Sequence, residues 1–191
     1  MARVKLIQKN QAPPKVEEFF RKIEENGARV MNLYKAVAAT PSVLPTFIKL
    51  GSCLLNQAEL SPKLRELAIL RVAKLTGSEY EWTQHVYIAL DVGIDQQKID
   101  DIYRWKESPS FSEEERVILQ YADEVAVNIK VSDKTFEALR RYLSERQIVE
   151  LTLSIGYWAM VARVLVALEV EIDEQPAGSV RDLLGNSRRS Q

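Results

Sequence analysis

The stretch Leu60–Gly93, "LSPKLRELAILRVAKLTGSEYEWTQHVYIALDVG", decides the fold. Ser61 is placed as an N-cap, Pro62 suits the first helical position, and Gly77 marks a C-terminal stop. A second helix is expected from Ser78 to about Asp91, closed by Gly93. The tight link at Thr76–Gly77 predicts that the two helices fold back as an αα-hairpin.

The same helical spacing of apolar residues extends outward in both directions, and alternating strand patterns are absent. Upstream, residues 1–14 read as an extended arm ending at "APP", after which Val16, Phe19, Phe20 and Ile23 open an amphipathic helix. Val30, Leu33, Tyr34 and Val37 continue the pattern beyond Gly27, and "TPSVLPTFIKLGSCLLN" follows as a further helix with Pro45 near its first turn. Downstream, Asp95 is expected to cap a shorter helix reaching Trp105, and Ser112 with Glu115 forms a capping box. Ser132 or Asp133 starts another short helix. Ser144 with Gln147 makes a second capping box before a long apolar helix from about Glu145 to Leu168. The fold class is therefore all-α, with one domain over residues 15–170. Residues 171–191 form a tail whose "VRDLL" is either loose or docked on a neighbouring subunit. "LSPKLRELAILRVA" and "LSERQIVELTLSIG" echo one another with one residue of slippage, which raises the prospect of a duplicated helical unit.

With 46% hydrophobic and 28% charged residues the chain can bury a core and stay in solution. Its 26 basic and 27 acidic residues are well mixed, which argues against a nucleic-acid partner or an anionic membrane surface. The single cysteine, Cys53, excludes an intramolecular disulfide and any CxxC redox pair. The N-terminus lacks the apolar core of a signal peptide and no run is read as long enough to span a membrane, so the cytoplasm is the expected location.

Candidate chemistry gathers around His85, the only histidine. Ser78, Glu81 and His85 stand at i, i+3 and i+7 and share one helix face, and the hairpin can bring Glu66 beside His85. A carboxylate near an imidazole fixes its tautomer and raises its basicity, as acid/base work near neutral pH requires. Tyr80 adds a phenol able to donate to a developing oxyanion. Each has a plainer reading: Ser78-x-x-Glu81 is a capping box, Trp82 is core, Tyr87 is packing, and Arg65 and Arg71 lie on a solvated face. No metal is expected, since neither HExxH nor a repeated ExxH occurs.

The segment "RELAILRVAKLTGSEYEWTQHVYIALDVGIDQQKIDDI" resembles the carboxymuconolactone decarboxylase and alkylhydroperoxidase D-like superfamily, matching at Glu66, Tyr80, Glu81, Trp82, His85, Ala89, Gly93 and Ile99. The resemblance implies a helical fold that assembles into a homo-oligomer, trimer or hexamer, and works on a small molecule without a cofactor. In the peroxidase branch two cysteines precede the histidine, and those positions are Ser78 and Glu81 here. Disulfide-based peroxide reduction needs thiols that serine and glutamate cannot supply. What the resemblance leaves is proton handling on a small carboxylated lactone or related acid: His85 moves the proton, Glu66 orients it, Glu81 is a second acid/base group and Tyr80 steadies enolate-like charge. Trp82 and Ser78 are then expected on the substrate side, with Arg65 or Arg71 as possible partners of a substrate carboxylate. A peroxidase-related protein without the cysteine pair and a non-catalytic ligand- or partner-binding oligomer are the alternatives.

Overall fold

The computed structural model describes residues 1–175, so the "VRDLL" part of the tail lies outside the described residues. The described residues form helices α1 (Pro14–Glu25), α2 (Asn32–Val37), α3 (Leu44–Asn56), α4 (Pro62–Thr76) and α5 (Glu79–Asp91). These are followed by α6 (Gln96–Asp101), α7 (Glu113–Asp123), α8 (Asp133–Leu139) and α9 (Glu145–Ala167). A short π-turn, Glu124–Asn128, prolongs α7. The all-α expectation holds.

The helix ends follow local chemistry. Both capping boxes form reciprocally, Ser112 with Glu115 and Ser144 with Gln147. Ser132 caps α8 by accepting the Thr135 N–H. Two expected caps behave differently. Ser61 and Asp95 occupy N-cap positions without using their side chains, and the Asp95 backbone carbonyl takes the Lys98 and Ile99 N–H groups instead.

α4 sits at the centre and is buried on all sides. Leu64, Ala68, Ile69 and Val72 pack into the main core with α1, α2, α3, α7 and α9, whereas Leu67 and Leu70 face a second cluster with Ala89, Ile99, Ile102 and Leu119. Each such leucine contributes roughly 1.5–3 kcal/mol by leaving water. α4 and α9 run in the same direction. Arg146 pairs with Glu59 at 2.7 Å and the Leu60 N–H donates to Glu150 at 2.8 Å where both helices begin, and Gly77 and Leu165 line one hollow where they end. The two echoed segments are thus neighbouring, parallel helices.

α9 corrects one expectation, since it runs for 23 residues and holds an 18-residue window with a mean hydropathy of 1.5, long and apolar enough for a membrane span. Here its apolar residues serve a core: Leu151, Ile155, Trp158, Val161 and Leu165 are buried against the rest of the chain. The N-terminal arm is tied down. The Arg3 N–H donates to the Leu168 carbonyl at 2.8 Å, and the Ile7 N–H donates to Lys35 at 3.0 Å.

Candidate active site at the helix hairpin

Gly77 makes the hairpin possible. It ends α4 in the left-handed conformation at φ +65°, where a side chain would be strained, and the Ser78 N–H turns back to the Ala73 carbonyl at 3.0 Å. The reversal sets α5 against α4 and places His85 opposite Glu66. His85 Nδ1 lies 2.7 Å from Glu66 Oε2, with both side chains buried.

A third helix completes the arrangement. The Trp158 indole N–H of α9 donates to His85 Nε2 at 2.7 Å. An indole N–H can only donate, so Nε2 is the unprotonated nitrogen. The ring proton therefore sits on Nδ1 and is given to Glu66. The other oxygen of Glu66 accepts from Arg65 Nε at 3.3 Å, and Arg65 Nη1 donates to the Leu54 carbonyl at 3.3 Å. Arg65 is thus 2% exposed, not on a solvated face, and it balances the Glu66 charge. The chain Arg65–Glu66–His85–Trp158 is closed, with both histidine nitrogens engaged.

Glu81 is the opposite case. Ser78 Oγ accepts the Glu81 N–H at 3.5 Å, so the first half of the expected capping box forms. The return bond does not, because the Glu81 side chain turns inward. It is 2% exposed, and among the described residues neither carboxyl oxygen has a hydrogen-bond partner. Burial pushes its pKa up to about 8, and the nearby Ser78 hydroxyl offsets only part of this. At neutral pH Glu81 is a carboxylic acid.

Glu81 and His85 line a cavity of about 50 Å³ that also touches Tyr34, Leu55, Tyr157 and Leu165. The rest of its lining is apolar and aromatic apart from Gln84, whose amide donates to Asp173 at 3.4 Å, and no lysine or arginine lines it among the described residues. Gly51 lets α3 close over Tyr157, since a Cβ there would stand 2.6 Å from the phenol oxygen. The Tyr157 hydroxyl donates to the Phe47 carbonyl at 3.0 Å. Its pKa is raised, first by burial and then by Tyr34 and by Glu81, which is ionised by the pH at which this phenol would titrate.

The other expected site residues divide. Tyr80 lines the cavity, yet its hydroxyl donates to Asp173 of the C-terminal segment and accepts the Leu33 N–H at 3.4 Å. Burial, then Asp173, holds this phenol well above its ordinary pKa, and its proton points away from any oxyanion in the cavity. Ser78 is 1% exposed and serves as the α5 cap, outside the cavity lining. Trp82 also lies outside it. The ring packs beside the second core cluster with the Lys74 ammonium 3.6 Å from its centroid, because the helical turn rotates it away from the Glu81–His85 face. Trp158 supplies the wall expected of Trp82. Arg71 is taken by Asp123, with Nε–Oδ1 at 2.5 Å. Cys53, half-buried on α3, is not among the lining residues. Sequence reasoning missed the part of Trp158 in the site; its only signal was an indole on the face of α9 that also carries Val161 and Leu165.

Comparison with known proteins agrees with this helical fold. The pattern of the carboxymuconolactone decarboxylase family matches residues 41–124, from the turn before α3 through α7, and so includes Glu66, Glu81 and His85. The uncharacterised protein YnjA of Escherichia coli (strain K12) is 28% identical over 118 residues, 60% of this chain and 64% of that one. The match therefore spans less than two thirds of that relative's length. A protein of unknown function from Agrobacterium tumefaciens is 26% identical with a TM-score of 0.68, over 73% of this chain and 96% of that one. An uncharacterised peroxidase-related protein from Silicibacter sp. TM1040 shares the fold, with a TM-score of 0.79 at 20% identity over 93% and 95% of the two chains.

Proposed function

The chain belongs to the carboxymuconolactone decarboxylase and alkylhydroperoxidase D-like superfamily, and on that footing we propose that it is a cofactor-free enzyme in which Glu81 transfers a proton to and from a small, uncharged carbonyl compound. The observation that carries this is the unpartnered Glu81 carboxyl, a buried group on a mostly apolar and aromatic cavity wall whose hydrogen-bonding capacity is unspent among the described residues. A carboxylic acid held near pH 8 can give its proton to an enol or enolate carbon and take it back, which is the task of a general acid/base at neutral pH.

The cavity shifts the substrate class from the carboxylated lactone that the resemblance implies. A substrate carboxylate would need a cation, and Arg65 is spent on Glu66 and Leu54 while Arg71 is held by Asp123. An uncharged lactone or enone of few atoms suits the space and polarity better. The reaction is then proton exchange or double-bond migration beside the carbonyl. His85 acts through position: locked between Glu66 and Trp158, it stiffens the wall against which Glu81 and the substrate meet. Thiol-based peroxide reduction is not part of the proposal, since Cys53 is the only cysteine and stands outside the cavity lining. Assembly as a trimer or hexamer is part of it, and apolar Val149, Leu153 and Met160, exposed along α9, are suited to such an interface.

A second reading, a ligand-binding oligomer without turnover, draws on the closed hydrogen bonding of His85. Exchange of α-protons for deuterium in a panel of small lactones, enones and β-dicarbonyls, followed by NMR in heavy water, separates the two. The proposal expects catalysed exchange that vanishes in Glu81→Gln. Equal exchange rates with the wild type, the variant and no protein would leave the binding reading alone.

A further inference from the structure

We infer that the same cavity is a binding site for a small primary alkylammonium ion, held by the Glu81 carboxylate beside the rings of Tyr34 and Tyr157. This rests on the position of Glu81 and requires no turnover, so it stands or falls separately from the enzymatic proposal.

Three observations converge on this ligand class. The Glu81 carboxyl is buried with both oxygens unpartnered, and a primary ammonium brings three N–H donors to such a group. No lysine or arginine lines the cavity among the described residues, so a cation meets no like charge there, whereas an anion would meet an acidic group without compensation. The walls are also of the right kind: the rings of Tyr34, Tyr157 and Trp158 present π-systems that attract cations, and Leu55 and Leu165 suit a short alkyl chain. About 50 Å³ admits roughly three to five non-hydrogen atoms, which points to ethylamine through butylamine.

Binding is coupled to protonation. Free Glu81 holds a proton at neutral pH, so capture of R–NH3⁺ leaves a carboxylate–ammonium pair and sends one proton to solvent. The titratable groups that line the cavity with Glu81 from the packed elements are Tyr34 of α2 and Tyr157 of α9, while Glu66 of α4 is held against His85 and Arg65, outside the lining. His85 and Tyr80 stand on α5 itself, and Tyr80 is bonded to Asp173. The three phenols are all raised away from the working range, and the Arg65–Glu66 pair is internally compensated. Glu81 is thus the group expected to give up the proton.

The experiment is calorimetric titration of the full chain with n-propylamine at about pH 7, in two buffers of different ionisation heat that are not primary amines. The expected result is saturable binding with close to one proton released per site, and about tenfold tighter binding at about pH 9, where Glu81 is ionised and the amine still charged. Glu81→Gln should weaken binding at least tenfold, Glu81→Asp should retain part of it, and 1-propanol should release no proton. Absence of saturable binding at millimolar amine, or binding with no proton release by the wild type, would overturn the inference. So would equal affinity in a folded Glu81→Gln protein.

Discussion

Replacing Glu81 by glutamine should change how stability depends on pH, by an amount that follows from the site. In the folded chain the Glu81 carboxyl keeps its proton up to about pH 8, against an ordinary value of 4.5. Between these limits the unfolded chain has shed a proton that the folded chain still holds. The unfolded state binds fewer protons, so stability declines as pH rises, by about 1.4 kcal/mol per unit. Integrated from about pH 5.5 to about pH 8, the loss attributable to this one group is about 3 kcal/mol. Glutamine keeps the shape of the protonated acid and cannot ionise, so the variant should lack this component. Urea unfolding at fixed protein concentration, at several pH values across the window, reads the difference directly. The wild type should lose about 3 kcal/mol relative to Glu81→Gln as pH rises. Parallel pH profiles for the two proteins would refute the reasoning, because a carboxyl paired or hydrated in the folded state has no raised pKa to lose.

Trp158→Phe removes the donor to His85 Nε2 while keeping an aromatic ring in place. It should cost about 1–3 kcal/mol in chemical denaturation, the penalty of a buried acceptor left unsatisfied, and ¹⁵N NMR should show His85 leaving the single Nδ1–H tautomer. Gly51→Ala places a methyl group 2.6 Å from the Tyr157 oxygen. Displacing a phenol bonded to the Phe47 carbonyl should destabilise by about 1–3 kcal/mol and weaken ligand binding in the cavity, both measurable by thermal unfolding with and without ligand. Asp101 accepts from Ser108, Gln97, Arg104 and Ser110, which together hold its carboxyl well below the usual range. Its stabilising contribution is present above the ordinary carboxylate range and fades as pH falls toward the depressed value. Asp101→Asn should accordingly lower the melting temperature at neutral pH and speed amide exchange over residues 105–111.

Much of this architecture is legible in the residues because it is set locally. Gly77, the two complete capping boxes and the helical spacing fix where helices begin and end, and a short link between two helices leaves few ways to pair Glu66 with His85. What could not be read depends on distant packing. Trp158 reaches His85 from 73 positions away, which no spacing rule relates to the hairpin. Arg65 looks like a surface residue until the Leu54 carbonyl of α3 is brought over it. Glu81 has the sequence context of a cap, and only the inward turn of its side chain separates that role from the buried acid observed. Trp82 sits beside Glu81 in sequence and for that reason lies on a different side of the helix.

The proton transfer proposed for the cavity follows from Glu81 being a protonated acid within it, and carbon-13 NMR titration of that side-chain carboxyl tests this most directly. The resonance, identified by its disappearance in Glu81→Gln, should titrate with a midpoint near 8. A midpoint in the ordinary carboxylate range, close to 4.5, would mean that water or a partner already satisfies the group, and the account would fail at its root.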